Sequence, residues 1–345
     1  MTAPKLVIFY FVLTLVLISA IIIGVSIGSV GIPIKEVILI FWSELTGGSV
    51  PQEITENNKN IIISIRLPRV VLAGLVGASL AITGAAFQGL LRNPLADPYT
   101  LGISSGASVG AVMTIFFNIS LPFIGNFTLP LLSIVCAFLT MMIVLFFARL
   151  LDRSLRVETI ILTGIIFSSF LGALISLMIA LTGEELRQII GWLLGSVSMR
   201  GWNYVFIILP FFVVGSLLLM INANELNVMS FGEEHAQHIG VAVQHKKMMI
   251  MIAGSILTGA AVAVSGTIGF VGLVIPHFIR LLIGPNHVHL LPASILVGSS
   301  FLIIADLFSR TVISPAELPI GVITALIGAP VSALILFRQN EKGRR

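Results

Sequence analysis

Gln88 to Ala107 reads QGLLRNPLADPYTLGISSGA, a polar, proline-broken and glycine-dense insert between two apolar segments, each long enough for a membrane helix. A connection that merely joined two anchors has no use for such a run. The insert marks a membrane domain that docks or moves something.

The surrounding composition fixes the class. Of 345 residues 57 % are hydrophobic and only 10 % charged, where soluble domains carry roughly 25 % charged residues. Mean hydropathy is +1.09. Apolar segments fall at 7–28, 68–91, 101–118, 127–149, 158–181, 202–221, 248–268, 270–284, 291–309 and 320–338. The expected fold is therefore all-α: one polytopic domain over 1–345 with ten transmembrane helices, leaving no room for a sizeable aqueous domain. The first segment, Val7 to Ile27, is uniformly apolar and has no clear cleavage site, so it reads as a retained helix.

Ten crossings put both ends on one side. With a cytoplasmic N-terminus, twelve of the nineteen basic residues fall inside, led by Arg149, Arg153, Arg156 and the C-terminal group Arg338, Lys342, Arg344 and Arg345. Lys35, Lys59, Arg66, Arg69, Arg187, Arg200 and Arg310 fall outside and need another reason. Two readings suit Arg66-Leu67-Pro68-Arg69 and Arg310: snorkelling to phospholipid headgroups, or a ring of guanidinium forks for an anionic ligand or an acidic partner surface. The net charge of +4 is an orientation signal and no sign of nucleic-acid binding.

The loop 222–247 is the longest hydrophilic stretch on the expected cytoplasmic side. Ser230 followed by Glu233 suggests a capping box opening a short helix over Phe231 to Ile239, closed by Gly240, with a second short helix after it. A surface helix of this kind suits a groove on a soluble partner. His235 and His238 lack supporting ligands for a metal. The segment 270–284, with Pro276, is too short to cross and belongs inside the bundle.

Small residues at four-residue spacing, Gly74 with Ala78 and Gly102, Gly106 and Gly110 in series, permit close helix approach. Ala81 to Gly84 with Gly89 echoes Ala263 to Gly266 with Gly272, which suggests a five-plus-five internal repeat. Cys136 reads as a small core hydrophobe. Asp306, close to the outer end of its segment, is the only plausible intramembrane acid, which disfavours an ion-coupled carrier. No Walker or HExxH motif is present, so neither ATP hydrolysis nor zinc-protease chemistry has support.

These segments together resemble the FecCD family, permeases of binding-protein-dependent ABC importers for iron-siderophores, haem and vitamin B12. The likeness is carried by Arg66 to Arg69, Gly84 to Gly106 with its RNPLADP core, Phe231 to Gly240, SGTIGFVGLVIPH at 265–277, Ala305 to Arg310 and ELPIGVITALIGAP at 317–330. The resemblance implies a second permease subunit, identical or paralogous, around a central path, two cytoplasmic ATP-binding subunits that hold ATP and Mg, and an extracytoplasmic solute-binding protein. It implies that Arg66, Arg69 and Arg310 meet acids of that binding protein, and that Phe231, Gly232, Glu233, Glu234, His235, Ala236, Gln237, His238, Ile239 and Gly240 couple to the ATPase. Arg92, Asn93, Pro94, Asp97, Pro98, Gly102, Pro276, Pro319, Gly321 and Pro330 become structural or gating motif residues, and segments five and ten become path-lining helices. The permease itself would bind no metal or cofactor, would be no enzyme, and would sit in a bacterial or archaeal cytoplasmic membrane. Iron-siderophore is the first substrate expected, haem or cobalamin the alternative; a channel or secondary carrier ranks below both.

Overall fold

The computed structural model describes residues 3–28, 31–47 and 54–343; Arg344 and Arg345 of the C-terminal basic group lie outside these. Its helices are α1 (Ala3–Ser26), α2 (Ile34–Thr46), α3 (Glu56–Asn60), α4 (Leu67–Leu90), α5 (Ile103–Phe116), α6 (Thr128–Leu151), α7 (Val157–Leu181), α8 (Leu186–Leu193), α9 (Gly201–Ile221), α10 (Ala223–Met229), α11 (Glu233–His238), α12 (Val243–Ser265), α13 (Val271–Ile283), α14 (His287–Thr311) and α15 (Ile320–Gly343).

Seven helical stretches among the described residues are long and apolar enough to cross a membrane, and α5, α13 and the 320–334 part of α15 are shorter apolar helices. The stretch containing α4 runs unbroken from Glu56 through a π-helical turn at Ile61–Arg66. It is 89 % buried over its most apolar window, against 6 % for α1 and 17 % for α7. The bundle is thus built around α4, with α12 and α14 beside it and α1 and α7 turning apolar faces outward. Phe11, Leu15, Leu162, Ile166 and Phe170 are exposed on those outer faces, as lipid contact requires.

Close packing follows the small residues. A Cβ at Gly77 would overlap the Gly298 carbonyl on antiparallel α14, and one at Gly84 would overlap the Gly272 carbonyl on α13. Gly106 and Gly110 pack likewise against α6, where their Cβ atoms would meet Cys136 O at 2.8 Å and Leu132 O at 2.6 Å. Lipid offers no hydrophobic drive for helix association, so this approach distance sets the packing energy. The echoing segments therefore touch through Gly84 and Gly272.

The expected boundaries shift in two places. α12 begins at Val243, so His245, Lys246 and Lys247 lie inside a helix rather than in the loop. The short-helix pair of 222–247 precedes Gly240 instead of straddling it, because α9 ends at Ile221 and α10 starts within two residues. The capping box does not form: Ser230 Oγ donates to Asn227 O at 2.6 Å, ending α10, and Glu233 turns toward Lys247. Helices α2, α3 and α8 were not expected from hydropathy, since each is too short or too polar to register as a span.

Candidate functional site

Two polar assemblies sit at opposite ends of α14, about 35 Å apart over the 23 residues from His287 to Arg310 at 1.5 Å per residue. At the far end, Arg69 opens α4 and Arg310 lies in the last turn of antiparallel α14. All five N–H groups of Arg69 are engaged. Nε donates to Asp306 Oδ1 and Oδ2 at 3.0 and 3.1 Å, Nη2 to Asp306 Oδ1 at 2.9 Å and Glu317 Oε2 at 3.1 Å, and Nη1 to Glu317 Oε1 at 2.8 Å and Ser198 Oγ at 3.3 Å.

The other two arginines close the end of α1. The last carbonyls of a helix lack intrahelical donors and carry its negative dipole end. Arg66 Nη1 donates to Val25 O at 3.0 Å and Ser26 O at 2.8 Å, and Arg310 Nη2 donates to Gly24 O. Arg310 Nε also stands 3.6 Å from Asp306 Oδ2. Sequence reasoning brought these three arginines to one entrance, and the fold does assemble them. It differs in their exposure: Arg66, Arg69 and Arg310 are only 4, 9 and 8 % exposed, because α1, Asp306 and Glu317 take up their donors. The accessible charge of this cluster is Glu317, whose side chain is 37 % exposed. Partial burial opposes its ionisation, but hydrogen bonds from Arg69 outweigh that and hold the carboxyl below its ordinary value.

At the near end, α10 and α11 project from the bundle. Only Ala236 of α11 is buried, while Phe231 and Ile239 on either side are 80 and 61 % exposed. Exposed apolar residues bracketing a polar helix suit insertion into a partner's groove. Asn227 on α10 fixes this knob to α14: its Oδ1 accepts from His287 N at 2.7 Å and contacts His287 Nδ1 at 2.9 Å, and its Nδ2 donates to Asn286 Oδ1 at 2.8 Å. Asn227, Asn286 and His287 escaped the sequence reading, since only the folded chain brings the two stretches together.

The RNPLADP loop lies between the knob and the helices. Asn93 Oδ1 accepts from Leu95 N at 2.9 Å, Asp97 Oδ1 from Tyr99 N at 3.2 Å, and Thr100 Oγ1 donates to Asp97 O at 2.7 Å. Such side-chain turns pair backbone N–H groups locally and, with Gly102 in the left-handed region at φ 84°, let the chain reverse into α5. Arg92 approaches Gly232 before α11, Pro98 approaches Gly272, and Thr100 and Leu101 pack on Gly164 of α7. Burial pushes the Asp97 carboxyl up to about 6, although the bond from Tyr99 N opposes this.

Pro276 interrupts α13. It has no N–H for the Gly272 carbonyl four residues earlier, and Gln88 Nε2 supplies the donor at 3.2 Å, with Leu273 O at 3.1 Å. A cavity of about 600 Å³ lies along the start of α15, lined by Gly321, Val322, Ala325 and Pro330 and by Leu193 and Thr267. α15 lines this cavity and α7 does not. Pro319 sits just before α15, and Ile320 N donates to Gly195 O at 3.0 Å. Among the described residues, no group of three or more His, Cys, Asp or Glu is placed to hold a metal.

An all-α bundle with charge neutralised at one end, an exposed helical knob at the other and an apolar cavity between them has the form of a multi-pass membrane permease. The chain belongs to the FecCD transport family, whose model matches residues 15–338. It is 64 % identical over 325 residues to the ABC transporter permease protein YvrB of Bacillus subtilis, covering 94 % of this chain and 92 % of that one. It is 40 % identical over 325 residues to the cobalamin import system permease protein BtuC of Halobacterium salinarum, covering 92 and 83 %. A solved structure described as an inward-facing metal-chelate type ABC transporter superposes with a TM-score of 0.83 at 35 % identity, covering 97 and 99 %. The chain is accordingly a permease subunit of an ABC transporter in the cytoplasmic (inner) membrane, with no ATPase activity of its own.

Proposed function

We propose that this permease imports a metal chelate, foremost an iron-siderophore complex, as one of two permease subunits working with two cytoplasmic ATP-binding subunits and an extracytoplasmic solute-binding protein. Ten crossings, arranged as a five-plus-five repeat with both termini cytoplasmic, accommodate the seven long and three shorter apolar helices. The observation that carries the reading is the opposition across α14: the arginine cluster at one end, the exposed 231–240 knob at the other.

The knob inserts into the ATPase, where ATP and Mg are held, and closure of that dimer moves α10 and α11. Asn227 passes the motion to α14 through His287; Arg92 and the loop through Asp97, Pro98 and Gly102 pass it to α13 and α7. The binding protein docks on the face of Arg66, Arg69 and Arg310. Since Arg69 is already saturated, an incoming carboxylate exchanges with the exposed Glu317 and so reaches Pro319, Gly321 and the cavity beside α15. The apolar cavity wall suits a cargo wrapped in organic ligand, and needs no metal-binding side chains. Cobalamin is the second reading, favoured by the 40 % identity to a cobalamin permease.

Proteoliposomes holding the full complex, loaded with binding protein and either a ferric siderophore or cobalamin, test this. ATP-dependent uptake of the ferric chelate supports the first reading, uptake of cobalamin alone the second. Uptake that persists without the ATPase subunit removes both.

A further inference from the structure

Lys246 and Lys247 are neighbours in sequence, and the fold treats them differently. Lys246 is partly exposed and binds Asn222 Oδ1 at 2.9 Å and Glu225 Oε1 at 2.6 Å, a local tie between α10 and α12. The Lys247 side chain is fully buried. Its Nζ contacts Glu233 Oε1 and Oε2 at 2.7 and 2.8 Å and donates to Leu155 O at 2.7 Å.

Three donors of one ammonium therefore join three elements: α12 through its own backbone, α11 through Glu233, and the α6–α7 turn through Leu155. That turn is itself stiff. Asp152 Oδ1 accepts from Ser154 N and Oγ at 3.0 and 2.7 Å, and its Oδ2 accepts from Arg156 N at 3.3 Å. Leu155 is held at φ 53°, in the left-handed region, with its carbonyl on Lys247; α7 starts two residues later. A second tie runs in parallel, from Gln244 Nε2 to Arg153 O at 3.4 Å.

We propose that Lys247 is the positioning residue that carries displacement of α11 to α7. The proposal rests on the reading of 231–240 as the ATPase-coupling segment. A buried ammonium stripped of its partners costs several kcal/mol, so neither the Glu233 nor the Leu155 bond opens freely during a stroke. α11, the start of α12 and the N-terminal end of α7 consequently move as one body. An apolar residue at 247 would pack the same space but let α11 move while α7 lagged.

The test compares wild type, Lys247→Met, Lys247→Arg and Glu233→Gln in the complete reconstituted complex, measuring substrate transported per ATP hydrolysed. Lys247→Met is expected to lower that ratio about tenfold, a loss of about 1.4 kcal/mol in coupling, and Lys247→Arg to restore most of it. A purely structural role would reduce the yield of complex and leave the ratio unchanged, which would overturn the proposal. Should Lys247→Met fail to assemble, spin labels at exposed His235 and Glu158 decide: their separation is expected to stay constant through the ATP cycle in wild type and to change in Glu233→Gln. A wild-type separation that varies with nucleotide, or a Glu233→Gln separation that does not, overturns the proposal. Acidic substitutions at Phe231 and Ile239 isolate the underlying reading: if they leave ATPase copurification intact, the coupling segment is wrong, whatever Lys247 does.

Discussion

Replacing Arg69 by Met removes a guanidinium while keeping an unbranched apolar stem, and it strands Asp306. That carboxylate is 1 % exposed at its side chain and takes three of its contacts from Arg69, at 2.9 to 3.1 Å. Its other cation, Arg310, remains at 3.6 Å, longer than the roughly 2.7–2.9 Å of a strong charge-assisted bond. Breaking a buried pair by removing one partner costs about 3–5 kcal/mol. At about 2 °C per kcal/mol for a chain of this size, the thermal midpoint of the detergent-purified permease should fall by roughly 6–10 °C. Two companions make the reasoning specific. Glu317→Gln removes only the solvent-exposed partner and should cost about 1 kcal/mol or less. Adding Asp306→Asn to Arg69→Met removes the stranded charge and should recover part of the loss. An Arg69→Met midpoint within the error of the parent, or a larger drop for Glu317→Gln than for Arg69→Met, refutes the claim that this cluster locks α4 to α14.

Three further outcomes are expected. Asp97 has its folded value raised to about 6 against an ordinary value of about 3.9, so the protein should lose stability as pH rises between those values. Asp97→Asn, which keeps the acceptor for Tyr99 N, should stabilise at pH 8 by at most about 3 kcal/mol and show no gain at pH 4; thermal melts at both pH values check this, and no gain at pH 8 counts against it. Gln88→Ala leaves the Gly272 carbonyl without its donor and should cost about 1–3 kcal/mol, read as faster hydrogen exchange along α13, with unchanged exchange as the contrary result. Gly84→Ala drives a methyl into the Gly272 carbonyl and should cost about 1–3 kcal/mol by overpacking. An unaltered midpoint would mean that α4 and α13 sit further apart than described.

Hydropathy made the helical bundle legible because lipid demands long apolar runs, and the ten apolar segments each coincide with a helix, within a few residues at most ends. The errors lie where that demand relaxes. α8 and α10 are short and held by tertiary contact, and α12 extends past the apolar run because Lys246 and Lys247 find acids on α10 and α11. Arg66, Arg69 and Arg310 were visible as an unexplained charge excess, but not as a buried cluster. Their partners are backbone carbonyls of α1 and the distant acids Asp306 and Glu317, and only the fold shows that they meet. Asp306 did stand out, as the only plausible intramembrane acid; its occupation by Arg69 explains why it need not be an ion-coupling site. Asn227 and Gln88 were illegible for the same reason, since an amide shows its role only beside the carbonyl or ring it serves.

The central claim is that an external nucleotide motor drives this bundle from the end opposite the arginine cluster. Uptake of a ferric siderophore into proteoliposomes, measured with the ATPase subunit present and withheld, addresses it most directly. The account predicts accumulation against a gradient only when ATPase, ATP and binding protein are all supplied; accumulation driven by a proton or sodium gradient in the permease alone would contradict it.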